Sequence, residues 1–278
     1  EMSASLVGSE MCIRDRVILF LVLFHCIVYG RCVRIGDNIR KVCQKICGGY
    51  KRHTDESEDF MRITIFSLGG LLGQYVTNTA LLHGAQVTAY VPDAKAIWPR
   101  KNLTVIEGSL QNRERVLEAL LEADAVISVL TPMRVKHVKE EETPLADGNA
   151  MILSAMKQLG KTRFVTVGHV CIHAFGDCED KYQRMSTKFM QIFWPGVYKD
   201  MQKMGQVLAR SDLNWTLVRT CAGRNVKVKK VGQNCSVSLD GSQFRPGYSR
   251  EALAEFLYEA AADQQMYSRK MPIFYREG

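Results

Sequence analysis

Residues 67–73 read SLGGLLG and follow the β-branched apolar run RITIF at 62–66. Gly70 and Gly73 stand three apart, where a strand gives way to a helix whose apolar residues continue through QYVTNTALLH. Glycine at such a turn lets backbone approach an anionic ligand closely and lets the helix pack tightly on its strand. The start of the helix adds unpaired N–H groups and a partial positive charge, which suit a phosphate. Ser67, Gly70, Leu71, Leu72 and Gly73 are therefore candidate phosphate-binding residues. A packing turn with no ligand is the alternative. Ser67 holds the position that would complete G-x-x-G-x-x-G, and it fits a tight turn only with a negative φ. Leu71 and Leu72 are bulky for a phosphate cradle unless their side chains turn into the core.

A second candidate lies at the end of the next strand, QVTAYV at 86–91. Asp93 is twenty residues after Gly73, the place from which an acid binds a ribose hydroxyl; an arginine there accommodates a 2′-phosphate instead. Lys95, Arg100 and Lys101 are close by, so NAD and NADP both stay open. Thr131 follows the fourth strand, where its hydroxyl lines a cofactor channel or packs before Pro132. His169 ends the fifth strand, on the edge where open α/β sheets bind ligands. Its imidazole is placed to hydrogen-bond a nicotinamide or give a proton to substrate, or is simply a polar loop histidine. Met201 and Met204 have the spacing of core residues on a helix.

The elements that must carry these residues alternate. Strands at 62–66, 86–91, 103–107, 125–130, 163–167 and 214–219 are separated by amphipathic segments, and Gly84 and Gly160 sit where helices stop. Ser249 is placed to cap a late helix. Several strands are apolar on both faces. The pattern predicts a single α/β domain, a Rossmann-type doubly wound, mostly parallel sheet over residues 61–278, with an α+β domain of mixed pairing as the alternative. Residues 175–198 are aromatic-rich and follow the fifth strand; they wall a pocket as a lid or form a small satellite core.

The run MRITIF…G-x-x-G, then VTAYV, LTVIEGSL, ADAVISVLTP, AMKQLGKTRFVTV and SDLNWTLVR resembles, in order, the NAD(P)H-binding atypical short-chain dehydrogenases. Within them it is most similar to the flavin reductase/biliverdin-IXβ reductase-like and NmrA-like branch. The resemblance implies NAD(P)H-dependent hydride transfer to a small conjugated acceptor such as a flavin or a tetrapyrrole-like ring. It also implies cofactor contacts at Ser109 and Leu110 after the third strand, Leu130 and Thr131 after the fourth, and Gly168 after the fifth, with His169 as the catalytic candidate. Departures are specific: Ser67 for the first glycine, Pro92 for the arginine after the second strand, Ser109 for an acid, and Gly168-His169 for a serine pair. No Tyr-x-x-x-Lys pair follows; Tyr182 has Ser186 four residues on. These departures motivate a rival reading, a non-catalytic NmrA-like dinucleotide sensor or interaction module.

The chain of 278 residues carries a net charge of +8 but no dense basic tract with interleaved aromatics, so a small molecule rather than nucleic acid is the expected partner. Nine cysteines lack metal-ligand spacing, and reduced thiols with no bound metal are expected. Residues 1–60 stand apart as an irregular N-terminal extension. LVGSEMCIRDR, residues 6–16, resembles a transposase-type sequencing adapter translated in frame, so residues 1–16 are expected to be a sequencing artefact. Residues 17–60, a 14-residue apolar run followed by a Cys/Arg-rich stretch, are then upstream sequence or a partial leader. The run is shorter than the roughly 20 residues of a membrane span. The expected location is the cytoplasm, with an anchor or secretory route only if residues 17–30 are authentic.

Overall fold

The structure, a computed structural model, describes residues 60–130, 142–221 and 235–277, apart from 179 and 243. Thr131 and the run at 17–30 lie outside them. Eight strands form one sheet: β1 (Arg62–Ser67), β2 (Gln86–Val91), β3 (Leu103–Glu107), β4 (Ala125–Val129), β5 (Arg163–His169), β6 (Asn214–Thr220), β7 (Cys235–Ser238) and β8 (Ile273–Arg276). Their order is β3-β2-β1-β4-β5-β6-β8-β7. All neighbours are parallel except β7 and β8. Six helices appear among the described residues: α1 (Leu71–Leu82), α2 (Arg113–Leu120), α3 (Pro144–Gln158), α4 (Lys181–Phe193), α5 (Pro195–Ala209) and α6 (Arg250–Ala262).

Alternation within each strand builds two cores. Ile63, Ile65, Val87 and Ile127 face α1 and α6. Phe66, Tyr90, Val126 and Phe164 face α2, α3 and α5. Burial on both faces is what a parallel sheet with crossovers on each side requires, and it accounts for the unbroken apolar runs. Gly84 and Gly160 adopt positive φ just past α1 and α3, as their places predict. Ser249 Oγ accepts the Ala252 N–H at 3.3 Å and caps α6. Met201 and Met204 are buried in the α5 face of the core.

The chain lays β1, β2 and β3 outward in one direction, then returns to place β4 on the other side of β1. Ser67 pairs with Val129 at the end of that junction. This reversal opens a crevice beyond the C-terminal ends of β1 and β4, the place where doubly wound sheets bind ligands. Helix α3 borders it, and its first turn is held by another helix rather than by its own cap. The carboxylate of Asp200, on α5, accepts the N–H groups of Leu145 and Ala146, each at 2.9 Å. Burial pushes that carboxyl above the ordinary carboxylate range, against the pull of the two N–H groups. Among the described residues no helix is long and apolar enough to cross a membrane.

Candidate functional site

The loop after β1 turns at Gly69, whose φ of 79° favours glycine, and no atom lies within 4 Å of a side chain built there. Gly70 then sets the helix start in an extended conformation, with no side chain capping it and no acid in the first turn of α1. The first N–H groups of α1 have no partner within the helix and point past an open loop. Such an N-terminus attracts a pyrophosphate. The Ser67 substitution is accommodated by its neighbour. A Cβ on Gly73 would sit 2.1 Å from Ser67 Oγ and 2.7 Å from Ser67 Cβ, so the serine side chain occupies the space that only a glycine at 73 leaves free. Ser67 is absent from the positive-φ residues, which meets the condition for a serine at this turn. Its Oγ accepts the Gly69 N–H at 3.3 Å.

The loop opens on a groove of about 790 Å³. Phe66, Ser67 and Leu68 form one wall, Tyr90 and Pro92 the next, and Ser109, Leu110 and Leu130 the far side, with Leu145, Gly148 and Met151 of α3 beyond. The volume falls in the range of small-molecule and cofactor sites. Its shape depends on close packing. Tyr90 Oη donates to the Ser109 carbonyl at 2.8 Å. A Cβ on Gly108 would lie 2.2 Å from that hydroxyl oxygen, and one on Gly148 would reach Leu110 at 2.9 Å. Burial raises the Tyr90 phenol above its ordinary pKa, so it is a neutral donor at physiological pH. Open glycine loop, uncapped helix start and apolar walls fit a dinucleotide: phosphates on the loop, an aromatic base against Pro92 and Leu110.

A smaller cavity of about 180 Å³ flanks the same loop on the α1 side. Ser67, Gly70 and Gly73 line it together with Asn78, Trp98 and Arg100. The Arg100 guanidinium donates to Asn78 Oδ1, which aims a fixed cation beside the glycine loop. Asp93 is exposed and is not among the lining residues of either cavity. Its Oδ1 accepts the Lys95 N–H at 2.9 Å and closes a 3₁₀ turn over Ala94–Ala96.

The candidates therefore separate. Ser67, Gly70 and Gly73 line the smaller cavity, and Ser67, Ser109, Leu110 and Leu130 the groove. Leu72 turns into the core at 8% exposure, whereas Leu71 faces outward at 57%. Gly168 is a packing position, where a Cβ would meet Ile172 at 2.8 Å and Leu217 at 2.9 Å. His169 is partly buried at the end of β5. Its Nδ1 accepts the Cys171 N–H at 3.1 Å, so the neutral ring carries its proton on Nε2, 3.5 Å from Ser186 Oγ. Ser186 Oγ is in turn 3.2 Å from Cys221 Sγ. Burial pushes His169 down to about 4 and the Cys171 thiol up to about 12. The ring is a neutral hydrogen-bond donor at physiological pH, and Cys171 is no thiolate.

Two features escaped the sequence. Ser186 stands in the Tyr-x-x-x-Lys register after Tyr182, and only the fold brings it to His169. Arg100 was visible as one basic residue of three, but its fixation by Asn78 on a different element was not. The aromatic segment lines neither of these two cavities. Phe189, Phe193 and Trp194 are exposed, with ring centroids 4.5 and 5.2 Å from Phe189, and they line neither cavity.

The sequence profile of the NAD(P)H-binding family matches residues 69–264, well over half of the chain. No curated protein is significantly similar to the chain in sequence. Among solved structures, a short-chain dehydrogenase/reductase from Veillonella parvula superposes with a TM-score of 0.64 at 22% identity, over 79% of this chain and 95% of that one. A Veillonella parvula short-chain dehydrogenase/reductase in complex with NADP gives 0.62 at 22%, over 79% and 96%. A Rossmann-fold NAD(P)-binding family protein from Shigella flexneri gives 0.58 at 16%, over 79% and 95%. At these identities the likeness is one of fold, while the profile match carries the assignment: the chain belongs to the NAD(P)H-binding family.

Proposed function

We propose that this protein is an NADPH-preferring reductase that passes hydride to a small conjugated acceptor of the flavin or tetrapyrrole type. The observation that carries the reading is the uncapped N-terminus of α1 behind Gly69 and Gly70, which line the smaller cavity, with Ser67 shared between that cavity and the 790 Å³ groove. The α1 N–H groups would hold the pyrophosphate, and Pro92 and Leu110, which line the groove, would offer apolar contact to the adenine. Arg100, fixed by Asn78, meets a 2′-phosphate in the smaller cavity; with Asp93 committed to its turn, this favours NADP over NAD. A reduced nicotinamide bound in the groove supplies the hydride. An electron-poor conjugated acceptor asks for orientation more than for strong acid catalysis, consistent with the lack of a Tyr/Lys pair. His169 holds a proton on Nε2 and, with Ser186, offers a neutral hydrogen-bonding edge at the C-terminal end of β5.

Fluorescence titration of the full chain with NADPH and NADH, followed by turnover with flavin and with a linear tetrapyrrole, tests the proposal. Tighter binding of NADPH with acceptor-dependent oxidation is the expected result. Binding without turnover of either acceptor would support the sensor reading instead. Binding of neither nucleotide would overturn both.

A further inference from the structure

Helix α4 wears its apolar face outward. Gln183, Thr187 and Met190 are buried against the domain, while Met185, Phe189, Ile192 and Phe193 lie at i, i+4, i+7 and i+8 on the opposite side. Ile192 is 72% exposed and Phe193 60%. Trp194 extends the ridge. Lys181, Arg184 and Lys188, at i, i+3 and i+7, form a basic stripe beside it, and from Lys181 to Lys199 the sequence contains no acid. The nearest described carboxylates on either side are engaged elsewhere: Asp180 pairs with Arg245 and Asp200 holds the start of α3, while Glu179 lies outside the described residues. Among the described residues no carboxylate pairs with Arg184 or Lys188.

An aromatic and aliphatic ridge beside an unneutralised cationic stripe, in a chain of net charge +8, is the composition of a helix that lies in a bilayer interface. We infer that α4 docks this protein on an anionic membrane surface, with Phe189, Ile192, Phe193 and Trp194 entering the headgroup boundary and Lys181, Arg184 and Lys188 meeting lipid phosphates or carboxylates. A second copy is a poorer occupant, because a two-fold contact through this face brings the cationic stripe against itself. An acidic peptide is poorer too, because the ridge borders neither cavity and offers no groove.

The test is binding of the full chain to phosphatidylcholine vesicles with and without phosphatidylserine, read by quenching of tryptophan fluorescence by brominated lipid. The expected result is quenching only in the anionic vesicles, lost in Trp194→Phe. That local signal separates α4 from any contribution of residues 17–30, which are the same in both proteins. Each cation near an anionic surface is worth about fivefold in partitioning, so Arg184→Gln with Lys188→Gln lowers it about twenty-five-fold. Both positions are exposed, and an unchanged circular dichroism spectrum confirms that the fold is kept. Quenching that survives Trp194→Phe, equal binding to neutral vesicles, or a dimer in sedimentation that Phe193→Ser dissociates would each overturn the inference.

Discussion

Gly73→Ala tests the packing on which the phosphate loop depends. The new Cβ would stand 2.1 Å from Ser67 Oγ and 2.7 Å from Ser67 Cβ. Rotating Ser67 moves Oγ but not its Cβ, so either α1 or the end of β1 must shift. Overpacking of this kind costs about 1–3 kcal/mol, offset by up to about 1 kcal/mol from the better helix propensity of alanine. The net expectation is a loss of about 1–2 kcal/mol. Ser67→Gly alone removes a weak hydrogen bond and adds unfolded-state freedom, for a loss of about 0.5–1 kcal/mol. In the double variant both clashing atoms are gone while the alanine gain remains. Urea unfolding of the four proteins, with m-values unchanged, should show a favourable coupling equal to the relieved clash, about 1–3 kcal/mol. Additivity within about 0.5 kcal/mol would refute the claim that Ser67 and Gly73 are one contact. The same variants address ligand binding. Ser67→Gly frees the Gly69 N–H, which Ser67 Oγ now occupies at 3.3 Å. One charge-assisted hydrogen bond to phosphate then tightens NADPH by about tenfold. Unchanged affinity in a stably folded Ser67→Gly protein would count against a phosphate at this loop.

Arg100→Ala should weaken NADPH about tenfold and leave NADH nearly unchanged, because an exposed guanidinium is worth about 1.5 kcal/mol to a phosphate that only NADPH carries; equal losses by calorimetry would remove the 2′-phosphate assignment. His169, held at about 4 rather than 6.5, binds its proton more weakly in the folded state. Between those two pH values the unfolded chain takes up more protons, so stability falls as pH falls, by at most about 3 kcal/mol. His169→Gln should flatten that part of the stability profile, and an unaltered slope would place the titration elsewhere. Asp177 and Arg219 form a bidentate pair at 2.5 and 2.7 Å with both side chains buried. Asp177→Ala should strand the guanidinium and destabilise the protein by about 3–5 kcal/mol, visible as a large drop in Tm.

The alternation of strands and helices was legible because a parallel sheet covered on both faces imposes long apolar runs and glycine stops. Two kinds of element escaped. Strands β7 and β8 are four residues each, too short for a period to register. Helix α4 follows a helical period, but its large apolar residues point away from the core, whereas its aromatic content suggested a pocket wall or a small satellite core. The site was legible to the same depth. Spacing placed Asp93 correctly at the end of β2 but could not show its carboxylate closing a local turn. That competition is general for Asp after a strand, where an N–H two residues on is always within reach.

The altered motif positions acquire a different meaning once they are paired in space. Read along the chain, Ser67 is a lost glycine and Gly73 a kept one. In the fold, the Ser67 side chain fills the space beside Gly73, and the strand-to-helix turn keeps its negative φ at 67. Tyr90 and Gly108 repeat the arrangement one strand away, with the phenol oxygen where a Cβ would be and its proton on the Ser109 carbonyl. In both places a larger side chain on one strand end is matched by a glycine on the next element, and the groove between them stays open. Decay of a binding site predicts the opposite: a bulky substitution at one position with no partner, and a cavity filled or collapsed. Ser67 and Tyr90 are therefore each accommodated by a glycine on the neighbouring element, and the groove they line remains open at about 790 Å³.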